Sequence, residues 1–253
     1  MLHLSHLDLK GIKKGDDFEP IDWCARFKVL SNTAKDHRLK KYYGAGVPAG
    51  HTPIDQVPFM ALDIETTGLN PNVDGIVSVG IIPMTTQIIQ SSYAKHWVIN
   101  PHVPLVDESV PFHGITHSQV KNAPTFEAIL EELLLTLSGH VMVVHCRVIE
   151  RSFINHAFKR VIHETIEIPM IDTMELEARL YRQPSNLSWM QRLFKTKQSE
   201  KISIRLAASR ARYGLPMYKP HHAVTDALAT AELLQAQLAY WFSSDTRLDK
   251  LLI

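Results

Sequence analysis

The stretch Phe59-Met60-Ala61-Leu62-Asp63-Ile64-Glu65-Thr66-Thr67-Gly68-Leu69 decides the fold. Its opening residues are apolar and read as a strand, while its fifth and seventh residues are carboxylates. A strand sends successive side chains to opposite faces, so Asp63 and Glu65 project from one face at its end and can share a cation. An acidic pair leaving an apolar strand is costly unless it is paired, solvated or metal-bound. A solvated strand end and a cation site are the competing readings. Thr66, Thr67 and Gly68 favour the second, because they place a tight turn and backbone donors where a ligand can approach.

Downstream, Gly75 to Met84 and Ile88 to Ile99 are rich in Val and Ile and read as two further strands. Phe126, Ile129, Leu130, Leu133, Leu134 and Leu137 recur at helical spacing from about Thr125 to Leu137. The run Val141-Met142-Val143-Val144 reads as a buried strand. Ser152 to Val161 is expected as helix, Met170-Ile171 as a short strand and Thr173 to Tyr181 as helix. Two more helices are expected, from about Ser203 to Tyr213 and from about Ala223 to Phe242. This order gives a mixed sheet with helices packed on it, an α/β domain.

Before the first strand, residues 1–57 read as a helical extension that ends in a Gly/Pro-rich linker. Its run Arg38-Leu39-Lys40-Lys41-Tyr42-Tyr43 is either a nucleic-acid contact or a solvated helix face. Residues 58–243 then form the main domain and 244–253 a C-terminal tail.

With 253 residues and 45% hydrophobic content, the chain can bury a substantial core. Its 27 basic and 26 acidic residues leave a formal charge of +1, so no global positive field holds a long duplex and any nucleic acid is gripped locally. Cys24 and Cys146 are the only cysteines, in no zinc spacing, and read as free thiols of a reducing cytoplasm. No signal pattern is seen at the N-terminus, and no apolar run approaches the roughly 18 residues of a membrane span. A cytoplasmic protein with no membrane partner is the expectation. No heptad seam announces an oligomer, and the oligomeric state stays open.

A second acidic position stands in His221-His222-Ala223-Val224-Thr225-Asp226-Ala227, which opens the last helix. Asp226 lies near the first turn, where the helix dipole favours a carboxylate and a capping role is available. A histidine five residues earlier can instead activate a water while the aspartate holds a metal.

In order along the chain, Asp63-Ile64-Glu65-Thr66-Thr67-Gly68, Asn100-Pro101 with Val106-Asp107-Glu108, His113-Gly114-Ile115-Thr116, His145 to Phe153 and His221-x-Ala223-x-x-Asp226-Ala227 resemble the DnaQ-like 3'-5' exonucleases. These belong to the DEDD superfamily, and the resemblance is to its DEDDh subgroup, whose general base is a histidine. It runs from about Phe59 to Leu238. It implies a ribonuclease H-like mixed sheet flanked by helices, with Asp63, Glu65 and Asp226 as metal ligands and His221 as the base. His222 is the competing base, and the spacing to Asp226 selects His221. Ile64, Thr66, Leu69, Glu108 and His113 fall where the family contacts the terminal nucleotide, and Asp172 at a family position that reads as a helix cap.

The second motif departs from the family's His-Asn-Ala-x-Phe-Asp, since this chain has His145-Cys146-Arg147-Val148-Ile149-Glu150. Glu150 stands where the family has aspartate, one methylene longer. It is either a ligand reaching through a shifted backbone or a water, or a solvated helix residue. Cys146 replaces an asparagine and reads as a packing residue.

The resemblance implies a 3'-5' exonuclease with two Mg2+ or Mn2+ ions per site, held by Asp63, Glu65, Glu150 and Asp226 and releasing nucleoside 5'-monophosphates. DNA is favoured over RNA as substrate, since the Thr-Thr-Gly-Leu and His-Gly-Ile-Thr pieces look closest to proofreading subunits, and a DNA polymerase or repair partner fits that context. An exoribonuclease on short RNA and a non-catalytic polymerase- or nucleic-acid-binding module are the alternatives.

Overall fold

The computed structural model describes residues 21–103, 114–182 and 202–252. Five strands form one sheet in the order β3-β2-β1-β4-β5. They are β1 (Phe59–Thr66), β2 (Ile76–Met84), β3 (Lys95–Val98), β4 (Val141–Val144) and β5 (Met170–Asp172). The first three are antiparallel neighbours, whereas β4 pairs parallel to both β1 and β5.

Central strand β1 is apolar on both faces because helices cover both. Met60, Leu62 and Ile64 face α4 (Phe126–Leu137) and α5 (Arg147–Ile162), while Phe59 and Ala61 face α8 (Ala223–Trp241). The six periodic apolar residues of α4 are all buried, and Thr125 caps that helix by accepting from the Ala128 N–H. Fully burying a side chain of that size stabilises by about 1.5–3 kcal/mol. Period two on β1 then puts Asp63 and Glu65 on the α8 side with Ala61.

The first two helices, α1 (Trp23–Thr33) and α2 (His37–Gly44), are capped by Asp22 and Asp36 and join the same core. Phe27 packs edge-on against Tyr43 at 5.1 Å between ring centroids. The Arg38–Tyr43 run is split between core and solvent: Leu39, Tyr42 and Tyr43 are buried in the core, while Lys40 and Lys41 are exposed on a solvated face. Glu164 accepts from the Lys35 and Asp36 N–H groups, and Arg26 pairs with Glu167.

Residues 50–55 and 244–249 zip together, with the Ile54 N–H donating to the Thr246 carbonyl and the Leu248 N–H to the Thr52 carbonyl, both at 2.9 Å. Leu248 and Leu251 complete the cluster beneath α8.

Two expectations need correcting. The stretch Ile88 to Ile99 is not one strand: a 3-10 turn at Ser91–Tyr93 breaks it, leaving an isolated bridge from Ile89 to Met84 before the turn and the ladder of Lys95–Val98 with β2 after it. Helix α5 begins at Arg147 instead of Ser152, which puts Glu150 in its first turn. The remaining helices are α3 (His117–Lys121), α6 (Thr173–Arg182) and α7 (Leu206–Arg212). No helix among the described residues is long and apolar enough to cross a membrane.

Candidate active site

The acidic end of β1 is shaped by its turn. A bulge at Glu65/Thr66 shifts the register so that Thr66 lies opposite Ile76, a device that re-aims side chains at strand ends. Beyond it, Asp74 folds back over the turn, accepting from Thr67 Oγ1 at 3.1 Å and from the Asn70 N–H at 2.8 Å. A Cβ on Gly68 would sit 2.5 Å from Asp74 Oδ2, so any other residue there has to displace the Asp74 carboxylate from these contacts.

Asp226 arrives on α8, the helix that covers the face from which Asp63 and Glu65 project. This helix lies directly against β2 at Gly80, the residue paired with Asp63. His222 is its N-cap, with Nδ1 facing the Thr225 N–H at 3.4 Å, and its ring packs on His96 at 4.8 Å. His221 precedes the cap in the left-handed region, at φ 71°, a conformation that costs a non-glycine residue about 1–3 kcal/mol. Its backbone N–H donates to Asp226 Oδ2 at 2.7 Å.

Glu65, His221 and Asp226 each offer one ligand atom within 4.8 Å of the others, the one such His/Cys/Asp/Glu set among the described residues. Asp63 and Glu150 stand outside this set but within electrostatic reach. The Asp63 carboxyl is held well above the usual range by burial first, then by Glu65, Asp226 and Glu150. Burial, followed by Asp226, pushes Glu65 up to about 8. Asp226 is also raised by burial, with the His221 N–H acting in the opposite sense.

Glu150 is only 4% exposed, which removes the solvated reading. Its Oε2 has no hydrogen-bond partner among the described residues, and burial, then Asp172, drives its carboxyl well above the ordinary range. Asp172 caps two helices at once, accepting from the Arg147 N–H at 3.0 Å and from the Met174 N–H at 2.9 Å. Cys146 occupies the N-cap position of α5 at φ 122°, and burial pushes its thiol up to about 12, far from a thiolate nucleophile. His145 Nδ1 lies 2.8 Å from Thr173 Oγ1, and burial draws its ring down to about 4.

Of the expected nucleotide contacts, Thr66 and Leu69 are partly exposed at the turn. The Ile64 side chain lies in the core, which leaves its backbone for any ligand. Glu108 and His113 lie outside the described residues. Gly80 was not anticipated, although an isolated glycine inside a strand pattern signals close backbone approach.

Crowded carboxylates raised by one another, a buried carboxylate oxygen without a partner and an adjacent imidazole form a donor set suited to divalent cations. Oxygen-rich ligation suits hard ions. A ribonuclease H-like sheet carrying acids at the ends of β1, α5 and α8 defines the class as a metal-dependent nuclease. The Exonuclease family model (RNase_T) matches residues 60–234, and the chain belongs to that family. Exonucleases of this fold use divalent metal ions.

The chain is 30% identical over 222 residues to the "DNA polymerase III PolC-type" of Caldanaerobacter subterraneus subsp. tengcongensis, covering 82% of this chain and 14% of that protein. It thus spans a small part of that relative. Its fold is similar to the nuclease domain of 3'hExo, a DEDDh family member bound to rAMP, with TM-score 0.57 and 16% identity over 72% of this chain and 92% of the other. It is also similar to Exonuclease X in complex with 5' overhanging duplex DNA, with TM-score 0.53 and 20% identity over 76% of this chain and 98% of the other.

Proposed function

We propose that this chain hydrolyses the terminal phosphodiester of single-stranded DNA 3' ends, releasing nucleoside 5'-monophosphates, with His221 as the proton acceptor. The observation that carries this reading is the approach of Glu65, at the end of β1, to His221 and Asp226, at the start of α8, with one ligand atom of each within 4.8 Å of the others. Asp63, Glu65, Glu150 and Asp226 would hold two Mg2+ or Mn2+ ions. When bound, these ions supply Lewis-acid stabilisation of charge on the phosphate and the departing 3' oxygen.

The protein's own residues do the rest. Asp226 fixes the His221 backbone through its N–H, which sets the imidazole beside Glu65. The imidazole takes the proton of the attacking water and passes it to solvent. Thr66, Leu69 and the Ile64 backbone border the acids and position the terminal nucleotide, with Glu108 and His113 as further contacts proposed from the motif alone. The name of the PolC-type relative supports DNA over RNA and a polymerase or repair partner.

The test is digestion of 3'-labelled single-stranded DNA, duplex DNA and RNA of one sequence, each with Mg2+ and with Mn2+. Mononucleotide release fastest from single-stranded DNA, abolished by EDTA and by His221→Ala, is expected. Full activity in His221→Ala or in EDTA overturns the mechanism, and faster release from RNA overturns the substrate.

A further inference from the structure

The segment from Gly214 to His222 carries His221 into the site, yet it has little apolar anchorage, and Met217 is 67% exposed. What it has instead is a buried cation. Arg210, near the end of α7, is 2% exposed. Its Nη1 donates to the Ala229 carbonyl at 2.6 Å, and its Nη2 to the Pro216 carbonyl at 2.7 Å and to Glu232 Oε2 at 2.6 Å. The guanidinium also lies over the Tyr218 ring at 4.8 Å. Tyr218 Oη donates to the other oxygen of Glu232 at 2.8 Å.

Two of these partners, Ala229 and Glu232, belong to α8, and two, Pro216 and Tyr218, belong to the segment. Burying a guanidinium is costly, and apolar packing would join α7 to α8 at lower cost. Spanning both an irregular segment and a helix is what the fork of a guanidinium does well. The clamp ends at Tyr218. Three residues later the His221 N–H is held by Asp226. Lys219, Pro220 and His221 are therefore strung between two fixed points on one helix.

We propose that Arg210, Glu232 and Tyr218 are positioning residues that hold His221 at the acidic cluster. They act on the chemical step through His221 and touch no substrate. This rests on the reading of His221 as proton acceptor.

The experiment compares Tyr218→Phe, Glu232→Gln and His221→Ala on 3'-labelled single-stranded DNA with Mn2+, measuring kcat, KM, Mn2+ affinity and melting temperature. Tyr218→Phe removes one hydroxyl and keeps the ring, so it folds where Arg210 variants need not. The expected result is a roughly ten- to hundredfold loss of kcat in Tyr218→Phe and Glu232→Gln, with KM and Mn2+ affinity within about twofold of the parent. The proposal is overturned if His221→Ala is inactive while folded Tyr218→Phe keeps the parent kcat, or if its loss of activity only tracks its unfolded fraction. If His221→Ala keeps full activity, the proton-acceptor reading itself falls and the clamp has nothing to position.

Discussion

Gly80 lies in contact with the backbone of Ala223, so close that a Cβ on the glycine would sit 2.6 Å from the Ala223 carbonyl oxygen and overlap the Val224 nitrogen. A strand interior and the first turn of a helix meet here without an intervening side chain. The same approach carries Asp226, three residues into that helix, to the acids of β1. Gly80→Ala is expected to cost about 1–3 kcal/mol and to weaken Mn2+ binding, because the first turn of α8 must lift. Gly44→Ala, with nothing within 4 Å, serves as the control. Thermal melts and metal titration of the two variants check this, and unchanged metal affinity in folded Gly80→Ala refutes it.

The adjacent histidines should separate cleanly. His221→Ala is expected to lower kcat by about 10²–10⁴-fold, the range for loss of a general base. His222→Ala removes a long capping contact and is expected to cost about 0.5 kcal/mol of stability while leaving kcat near the parent value. Steady-state rates and melting curves distinguish them, and an inactive, well-folded His222→Ala with an active His221→Ala reverses the assignment.

Glu150 should show stability and activity moving in opposite directions. Glu150→Gln replaces a buried carboxyl whose Oε2 has no partner among the described residues, and a gain of about 1 kcal/mol is expected in the metal-free protein once the pH is high enough to ionise that raised carboxyl. Activity should fall at least about tenfold, and Glu150→Asp should retain activity. A Gln variant as active as the parent shows that this carboxylate takes no part.

Proton linkage makes the acidic cluster readable without substrate. Glu65 is raised in the folded protein to about 8 from an ordinary 4.5, and Asp63 and Glu150 are raised in the same sense. Between those values the folded state binds more protons than the unfolded one, so the metal-free protein loses stability as pH rises through the window. Its melting temperature should fall between about pH 5 and about pH 8, and added Mg2+ or Mn2+ should restore more at the upper end. Calorimetry in EDTA and in metal decides this, and a flat metal-free profile counts against the crowding.

The parts of this site set by local pattern could be read from the chain. Period two placed Asp63 and Glu65 on one face, and the apolar spacing of α4 gave its bounds within a residue. The burial of Glu150 could not be read, because the start of α5 has no local capping residue. Cys146 fills that position without a side-chain cap, and the acceptor for the Arg147 N–H is Asp172, 25 residues away on another strand. Without that long-range cap, the helix reads as starting near Ser152, which leaves Glu150 outside it. Gly80 and Arg210 escaped for a related reason, since each acts through a partner that only tertiary packing supplies.

The zip between residues 50–55 and 244–249 has a bearing on where this molecule can be cut. The family match ends at residue 234, yet Leu248 and Leu251 are fully buried, and Trp23, Phe27, Leu39, Tyr42 and Tyr43 lie in the core upstream of its start. A fragment trimmed to the matched stretch would keep every acid of the site and lose both of these seals. The boundaries of the family match and those of the cooperative folding unit do not coincide here, and expression of the matched stretch alone should yield aggregation in place of enzyme.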